Sequence, residues 1–156
     1  MPARPEPYFG GGMPVPELSD DTEPFWDACN RHRLLVQRCA SCGTHRFPPR
    51  PMCWNCQSLR SEWTESSGDG SVFTYTVAYH TAHAVAHEEV PYNISIVQLD
   101  DCGGVLVISN VVACPPDQLC VGLRVRLSWE DRPDGQSLYR FRPANDEFGG
   151  GPAPAG

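Results

Sequence analysis

The chain has no lysine: all twelve of its basic residues are arginine, and nineteen acidic residues bring the formal charge to −7. That balance argues against a backbone-binding nucleic-acid protein, whose affinity rests on accumulated positive charge. Long apolar runs are missing as well. The longest, such as Val105 to Ile108, are far too short to span a bilayer, so no membrane segment is expected. No secretory signal is apparent at the start, which points to a reducing, cytoplasmic setting. The usual enzyme constellations are absent too: no GxSxG elbow, no Walker loop, no GxGxxG following a strand and no HExxH. With neither these motifs nor a βαβ alternation to build a larger pocket, an independent catalytic centre is not expected, and no residue is assigned a catalytic role.

Acid is also locally absent. Between Asp27 and Glu62 there is no acidic residue, while Arg31, Arg33, Arg38, Arg46, Arg50 and Arg60 all fall there. The same stretch carries four of the eight cysteines, as Cys39-Ala40-Ser41-Cys42, ten intervening residues, then Cys53-Trp54-Asn55-Cys56. A CxxC turn sets two thiolates on one side of a tight loop, about 2.3 Å from a shared ion, and a second such turn completes a tetrahedral shell. Cys39, Cys42, Cys53 and Cys56 are therefore read as ligands of one structural Zn2+. A closed shell of this kind holds a fold together and leaves no position for catalysis. Gly43 follows the first pair, where a knuckle requires positive φ. Two disulfides are the alternative, one that fits poorly with a chain lacking a secretory signal. Four zinc-bound thiolates carry −2 with the ion, so the segment keeps a charge of about +4. Such a patch suits nucleic acid, the phosphates of a nucleotide-like cofactor or an acidic protein surface, unless it is simply a solvated face. Cys29, Cys102, Cys114 and Cys120 remain as single thiols and are expected to be buried and inert.

Residues 1–17 and 144–156 are rich in Pro and Gly and read as mobile tails. A short helix is expected from Asp21 to near Asn30, with Pro24 in its first turn and Phe25, Trp26 and Cys29 on one face. Leu34 to Arg38 read as a strand entering the first knuckle, and the proline-stiffened Arg46 to Pro51 as the return to the second. Helix and zinc ribbon thus occupy 18–66, with Phe47, Trp54 and Trp63 expected to pack against the ribbon or the next domain. The pattern then changes. Five strands are expected in 67–143: Val72 to Tyr79, Tyr92 to Leu99, Val105 to Val112, Leu123 to Trp129 and Leu138 to Arg142. The second and third form a hairpin through Asp100 to Gly104. In the fourth, Leu123, Val125, Leu127 and Trp129 face the core and the arginines face out. The fold class is mainly β, and the strand count suits a small closed barrel of the OB type, although periodicity does not separate this from other small barrels. His80, His83 and His87 lie in the loop after the first barrel strand. A second metal site or a proton relay would need a fixed third ligand, so this loop is read instead as an exposed segment or a partner contact.

Phe25-Trp26, Cys39-x-x-Cys42-Gly43, Phe47-Pro48-Pro49-Arg50, Cys53-x-x-Cys56, Gly68-x-Gly70, Tyr75-Thr76-Val77, Pro91-Tyr92 and Gly122 follow one another in an order that resembles the family catalogued as domain of unknown function thirty-five. The resemblance covers residues 18–143. It implies a rubredoxin-like zinc ribbon plus an OB barrel with one structural zinc per chain. It also implies a non-catalytic small subunit bound to a thiolase-superfamily large subunit acting on acyl-CoA thioesters, as an α2β2 assembly. Retro-aldol or thiolytic cleavage, including steroid side-chain shortening, is the implied chemistry, with a condensing acyltransferase or HMG-CoA-synthase-type complex as the alternative. A nucleic-acid-binding OB and zinc-ribbon protein is a further, less favoured reading. On this view Arg33, Arg46 and Arg50 are candidates for the coenzyme A phosphates, and the loop carrying His80, His83, His87 and Tyr92 for the partner or substrate channel.

Overall fold

The computed structural model describes residues 8–9 and 12–145. The parts of the expected tails at 1–7, 10–11 and 146–156 lie outside the described residues. Helix α1 spans Glu23–Cys29, with Pro24 in its first turn, and buries Phe25, Ala28 and Cys29. Three- and four-residue spacing puts those side chains on one stripe. The helix stops at Asn30, whose N–H bonds the Trp26 carbonyl at 3.0 Å.

Two sheets follow. In the first, β1 (Leu35–Cys39) lies between β2 (His45–Arg46) and β3 (Ser61–Glu65), in the order β2-β1-β3 and antiparallel throughout. The second holds β4 (Asp69–Ala78), β5 (Tyr92–Leu99), β6 (Leu106–Ser109), β7 (Arg124–Asp131) and β8 (Ser137–Pro143), ordered β6-β5-β4-β7-β8. The sheet curls until its ends meet. A parallel bridge joins Val111 to Phe141, and the Val112 N–H reaches the Phe141 carbonyl at 2.7 Å. Closing the third barrel strand onto the fifth is OB connectivity, and it explains why β6 is shorter than the expected Val105 to Val112: after Ser109 the chain leaves β5 and crosses to β8.

Strand alternation fills the barrel. Val97 and Leu99 on β5, Val107 on β6, Val125 on β7 and Phe141 on β8 are all essentially inaccessible. Leu123, Leu127 and Trp129 are partly buried against this core, as the alternation of β7 anticipates. Phe25, Cys29, Leu34 and Val36 belong to the same cluster, so helix, ribbon and barrel share one core. Phe25 makes edge contacts with Phe47 and Tyr139, at centroid separations of 5.5 and 5.6 Å, which fasten the helix and ribbon to β8. The register of β4 against β5 depends on Gly70, where a Cβ would stand 2.4 Å from the Gln98 carbonyl oxygen.

Some expected packing is not found. Phe47 and Trp63 pack against the core, but Trp54 is 73% exposed, since its position in the second knuckle directs it away from both sheets. Cys29 and Cys102 are buried, Cys114 is half-buried and Cys120 is exposed, because it sits in the irregular crossing between β6 and β7. Two polar groups join the ribbon to the barrel: Asp101 accepts from the Ser66 hydroxyl at 2.7 Å and the Ser67 N–H at 2.8 Å. Burial alone would raise the Asp101 carboxyl, yet these donors hold it below the usual carboxylate range.

Within the expected tail, residues 8–9 and 12–17 lie along the barrel. Tyr8 Oη accepts from Asn93, and Phe9 meets Tyr92 edge-on at 4.8 Å. The buried guanidinium of Arg132 donates to the carbonyls of Met13 and Pro14.

Candidate functional site

The two knuckles are built alike. The Gly43 N–H bonds the Cys39 carbonyl at 2.9 Å, and the Gln57 N–H bonds the Cys53 carbonyl at the same distance. Cys39 N–H in turn bonds Thr44, and Cys53 N–H bonds Ser58. Each turn needs a left-handed residue at the same place, filled by Gly43 at φ 76° in one and Gln57 at φ 61° in the other. The four sulfurs of Cys39, Cys42, Cys53 and Cys56 lie within 4.8 Å of one another. Across the knuckles, Cys39 and Cys56 Sγ are 3.5 Å apart and Cys42 and Cys53 Sγ are 3.7 Å apart. A tetrahedral ion with ligands at about 2.3 Å places its sulfurs about 3.8 Å apart, so the set fits zinc.

Electrostatics support the same reading. The hydroxyl and N–H of Thr44 lower the Cys42 thiol to about 5. The N–H of Ser58 acts to lower Cys56, yet the neighbouring Cys42 and Cys39 push it up to about 12. Four thiolates at this spacing repel one another, and a divalent cation lets all four ionise together. Cys39 and Cys53 are buried while Cys42 and Cys56 face outward, which closes the site on one side. The zinc would be held by these four residues and would supply cross-linking of the knuckles.

The other sequence candidates separate. Arg33 donates to Glu65 through Nε at 3.0 Å and Nη2 at 2.7 Å, on the ribbon surface. Arg46 is not displayed for a surface contact: it is 4% exposed, with Nε on Gln37 Oε1 at 2.6 Å and Nη2 on the Arg50 carbonyl at 3.1 Å. The Arg50 side chain is exposed. His80, His83 and His87 are exposed in the loop before β5, where a 3-10 turn spans Ala84–Glu89. His87 Nε2 lies 2.9 Å from the Thr81 carbonyl, and Tyr92 is half-buried under Phe9. Among the described residues, the metal-competent cluster is the four cysteines, and the histidines do not assemble.

Two features escaped the sequence reading. One is the buried pair Glu130 and Arg140, 2.8 Å apart on β7 and β8, which breaks the simple alternation of β7. The other is a groove where the ribbon meets the turn into β6, lined by Arg46, Phe47 and Trp54 from one side and Gly104, Val105 and Leu106 from the other. Neither has a local signal: the pair faces across the β7–β8 hairpin, whose side-chain partners the alternation does not report, and the groove joins segments distant in the chain.

Residues 26–62 match the ChsH2 rubredoxin-like zinc ribbon domain, and residues 63–130 match the ChsH2 C-terminal OB-fold domain. A DUF35 domain-containing scaffold protein of Methanocaldococcus jannaschii is 34% identical over 120 residues, covering 72% of this chain and 83% of its own. The chain belongs to the DUF35 family. It carries that family's rubredoxin-like zinc ribbon and OB fold, with the four cysteines positioned to bind the metal ion. A solved chain of an Ltp2–ChsH2(DUF35) aldolase is 36% identical, with a TM-score of 0.75, and is covered over 100% of its length by 84% of this one. The 3-oxo-4,17-pregnadiene-20-carboxyl-CoA hydratase alpha subunit of Mycobacterium tuberculosis is 37% identical over 131 residues, 84% of this chain. The DUF35 chain spans 40% of that hydratase subunit's length. Among the described residues no helix is long and apolar enough to cross a membrane.

Proposed function

We propose that this DUF35 chain is a non-catalytic cytoplasmic subunit that binds and stabilises a thiolase-superfamily enzyme acting on acyl-CoA thioesters. The reaction we favour is retro-aldol cleavage that shortens a steroid-type acyl-CoA side chain, carried out by catalytic groups of the large subunit in an α2β2 assembly. The observation that carries this reading is the match over the whole length of the DUF35 chain from an aldolase. The relative whose name includes a pregnadiene-carboxyl-CoA substrate supports the steroid class.

In this role the zinc knuckles and the shared core make a rigid wedge, and its exposed groups help form the acyl-CoA entrance. Of the three arginine candidates, Arg50 has an exposed guanidinium for a coenzyme A phosphate, whereas Arg33 would have to leave Glu65. His80, His83 and His87, on the surface beside Tyr92, form the candidate partner or channel loop.

The test is affinity purification of the tagged chain from its native host, with mass spectrometry and zinc analysis of what is retained. A stoichiometric thiolase-superfamily subunit together with one zinc per chain is the expected result. Zinc with nucleic acid, and no such subunit, would overturn the proposal.

A further inference from the structure

A small cavity of about 230 Å3 opens at the barrel seam, lined by Tyr8, Val112, Ala113, Trp129, Glu130 and Arg140. Its two charged groups are buried and only partly used. The Glu130 and Arg140 side chains are 8% and 12% exposed. Glu130 Oε2 accepts from Arg140 Nε at 2.8 Å, and Arg140 Nη1 donates to Asn110 Oδ1 at 2.7 Å. Glu130 Oε1 and Arg140 Nη2 have no hydrogen-bond partner among the described residues. The two charges cancel, so the cavity favours neither an anion nor a cation. An acceptor and a donor held together in this way complement a neutral group that carries its own donor next to an acceptor.

Two aromatic rings complete the lining, and both are held in place. His32 stacks on Trp129 at 5.1 Å with a 5° tilt, and its Nε2 lies 2.7 Å from Asp131. The Asn93 amide donates to Tyr8 Oη at 3.3 Å, and the Arg140 guanidinium lies 5.8 Å from the Tyr8 ring centroid. Side chains fixed before a ligand arrives lower the cost of binding it. Ala113 is held at φ 53°, in the left-handed region that a residue with a Cβ avoids, and backbone strain of this kind gathers at functional sites. Size limits the occupant. Sites for drug-sized ligands run from roughly 300 to 1,000 Å3, so this cavity suits a one- or two-ring group and not a steroid or a whole coenzyme. The same pair borders a second cavity, of about 270 Å3, which has Phe9 but no second ring, and whose Arg132 is already held by Asp134 and by the Met13 and Pro14 carbonyls.

We propose that the seam cavity binds a nucleobase, with its ring against Tyr8 and Trp129 and its hydrogen-bonding edge on Glu130 and Arg140. Single bases are read in this manner, by stacking on aromatic side chains and by bonds to the Watson–Crick edge, where each base carries a donor next to an acceptor. Adenine fits the pair, its N6–H donating to Glu130 and its N1 accepting from Arg140. Free nucleosides and the adenine of coenzyme A share this chemistry, and the test separates them. A nucleic-acid strand is not the expected source, because the cavity takes one base and carries no excess positive charge. The site stands on its own geometry and does not depend on the accessory-subunit reading.

The test is calorimetric titration of the full-length, zinc-loaded chain with adenosine, guanosine, uridine, coenzyme A and pantetheine. At least one of the four base-carrying probes is expected to bind with a Kd below about 1 mM, and pantetheine is not. Tighter binding of coenzyme A than of adenosine would assign the base to the coenzyme, and the reverse order to a free nucleoside. Tyr8→Ala removes one ring, and Ser128→Leu fills the cavity from β7. Each should weaken binding at least about 5-fold, the effect of losing one stacking contact, with zinc content and circular dichroism unchanged. If either variant misfolds, the Trp129 indole N–H resonance of the wild-type chain decides, since it should shift during the titration. No binding of any base-carrying probe below about 1 mM, wild-type affinity in both folded variants, or an unmoved Trp129 resonance would overturn the proposal. Pantetheine binding as tightly as coenzyme A would overturn it too, by placing amides rather than a base in the cavity.

Discussion

Glu130→Ala is the perturbation with the clearest calculated cost. Glu130 and Arg140 pair at 2.8 Å between β7 and β8, with side chains only 8% and 12% exposed. Arg140 Nη1 also donates to Asn110 Oδ1 at 2.7 Å, and Asn110 Nδ2 donates to the Asn93 carbonyl. Asn93 in turn holds Val111 through two 2.8 Å bonds, beside the bridge that closes the barrel. The network therefore ties β5, β8 and the crossing after β6 at the barrel's seam. Removing Glu130 leaves a guanidinium, already covered by Tyr8 and Phe9, with Asn110 as its remaining hydrogen-bond partner among the described residues. Breaking one side of a buried pair costs about 3–5 kcal/mol. At about 2–4 °C per kcal/mol for a chain of this size, Tm should fall by roughly 6–20 °C. Replacing both residues with apolar groups, Glu130→Met with Arg140→Leu, should cost much less, because no charge is left stranded. Urea unfolding followed by circular dichroism on zinc-loaded protein would measure both. A loss below about 0.5 kcal/mol for Glu130→Ala, or a double variant worse than the single one, would refute the reasoning.

Cys39→Ser should abolish stoichiometric zinc and unfold the ribbon, read by metal analysis and by solvent exposure of Trp63; a variant retaining one zinc per chain would show that the site has other ligands. Gly70→Ala should lower barrel stability by about 2 kcal/mol or more, since its Cβ would stand 2.4 Å from a backbone oxygen on β5. Denaturant titration would check it, and an unchanged midpoint would mean that the β4–β5 register is set elsewhere.

The ribbon was legible because its determinants are local. Paired CxxC turns place their own thiolates, and Gly43 occupies the left-handed position of the first turn. The second turn was harder to read, since Gln57 fills that position without a glycine signal. β5 was found at its observed limits from its run of β-branched and apolar residues. β6 was overextended because nothing in Asn110-Val111-Val112 announces that the strand crosses to β8. Arg46 was misread as a surface cation for a related reason: its burial depends on Gln37 opposite it in β1 and on the Arg50 carbonyl, and charge composition does not report either contact.

By itself, then, the sequence determined the metal ligands, the order of most strands and the family to which the chain belongs, all of which rest on spacing along the backbone. The tertiary structure decided which charges are stranded, which aromatics stay exposed and where ribbon and barrel form a groove. Those properties arise from contacts across strands and between ribbon and barrel, which neighbours along the chain do not report. Burial changes the energy of a charge far more than its neighbours in sequence do.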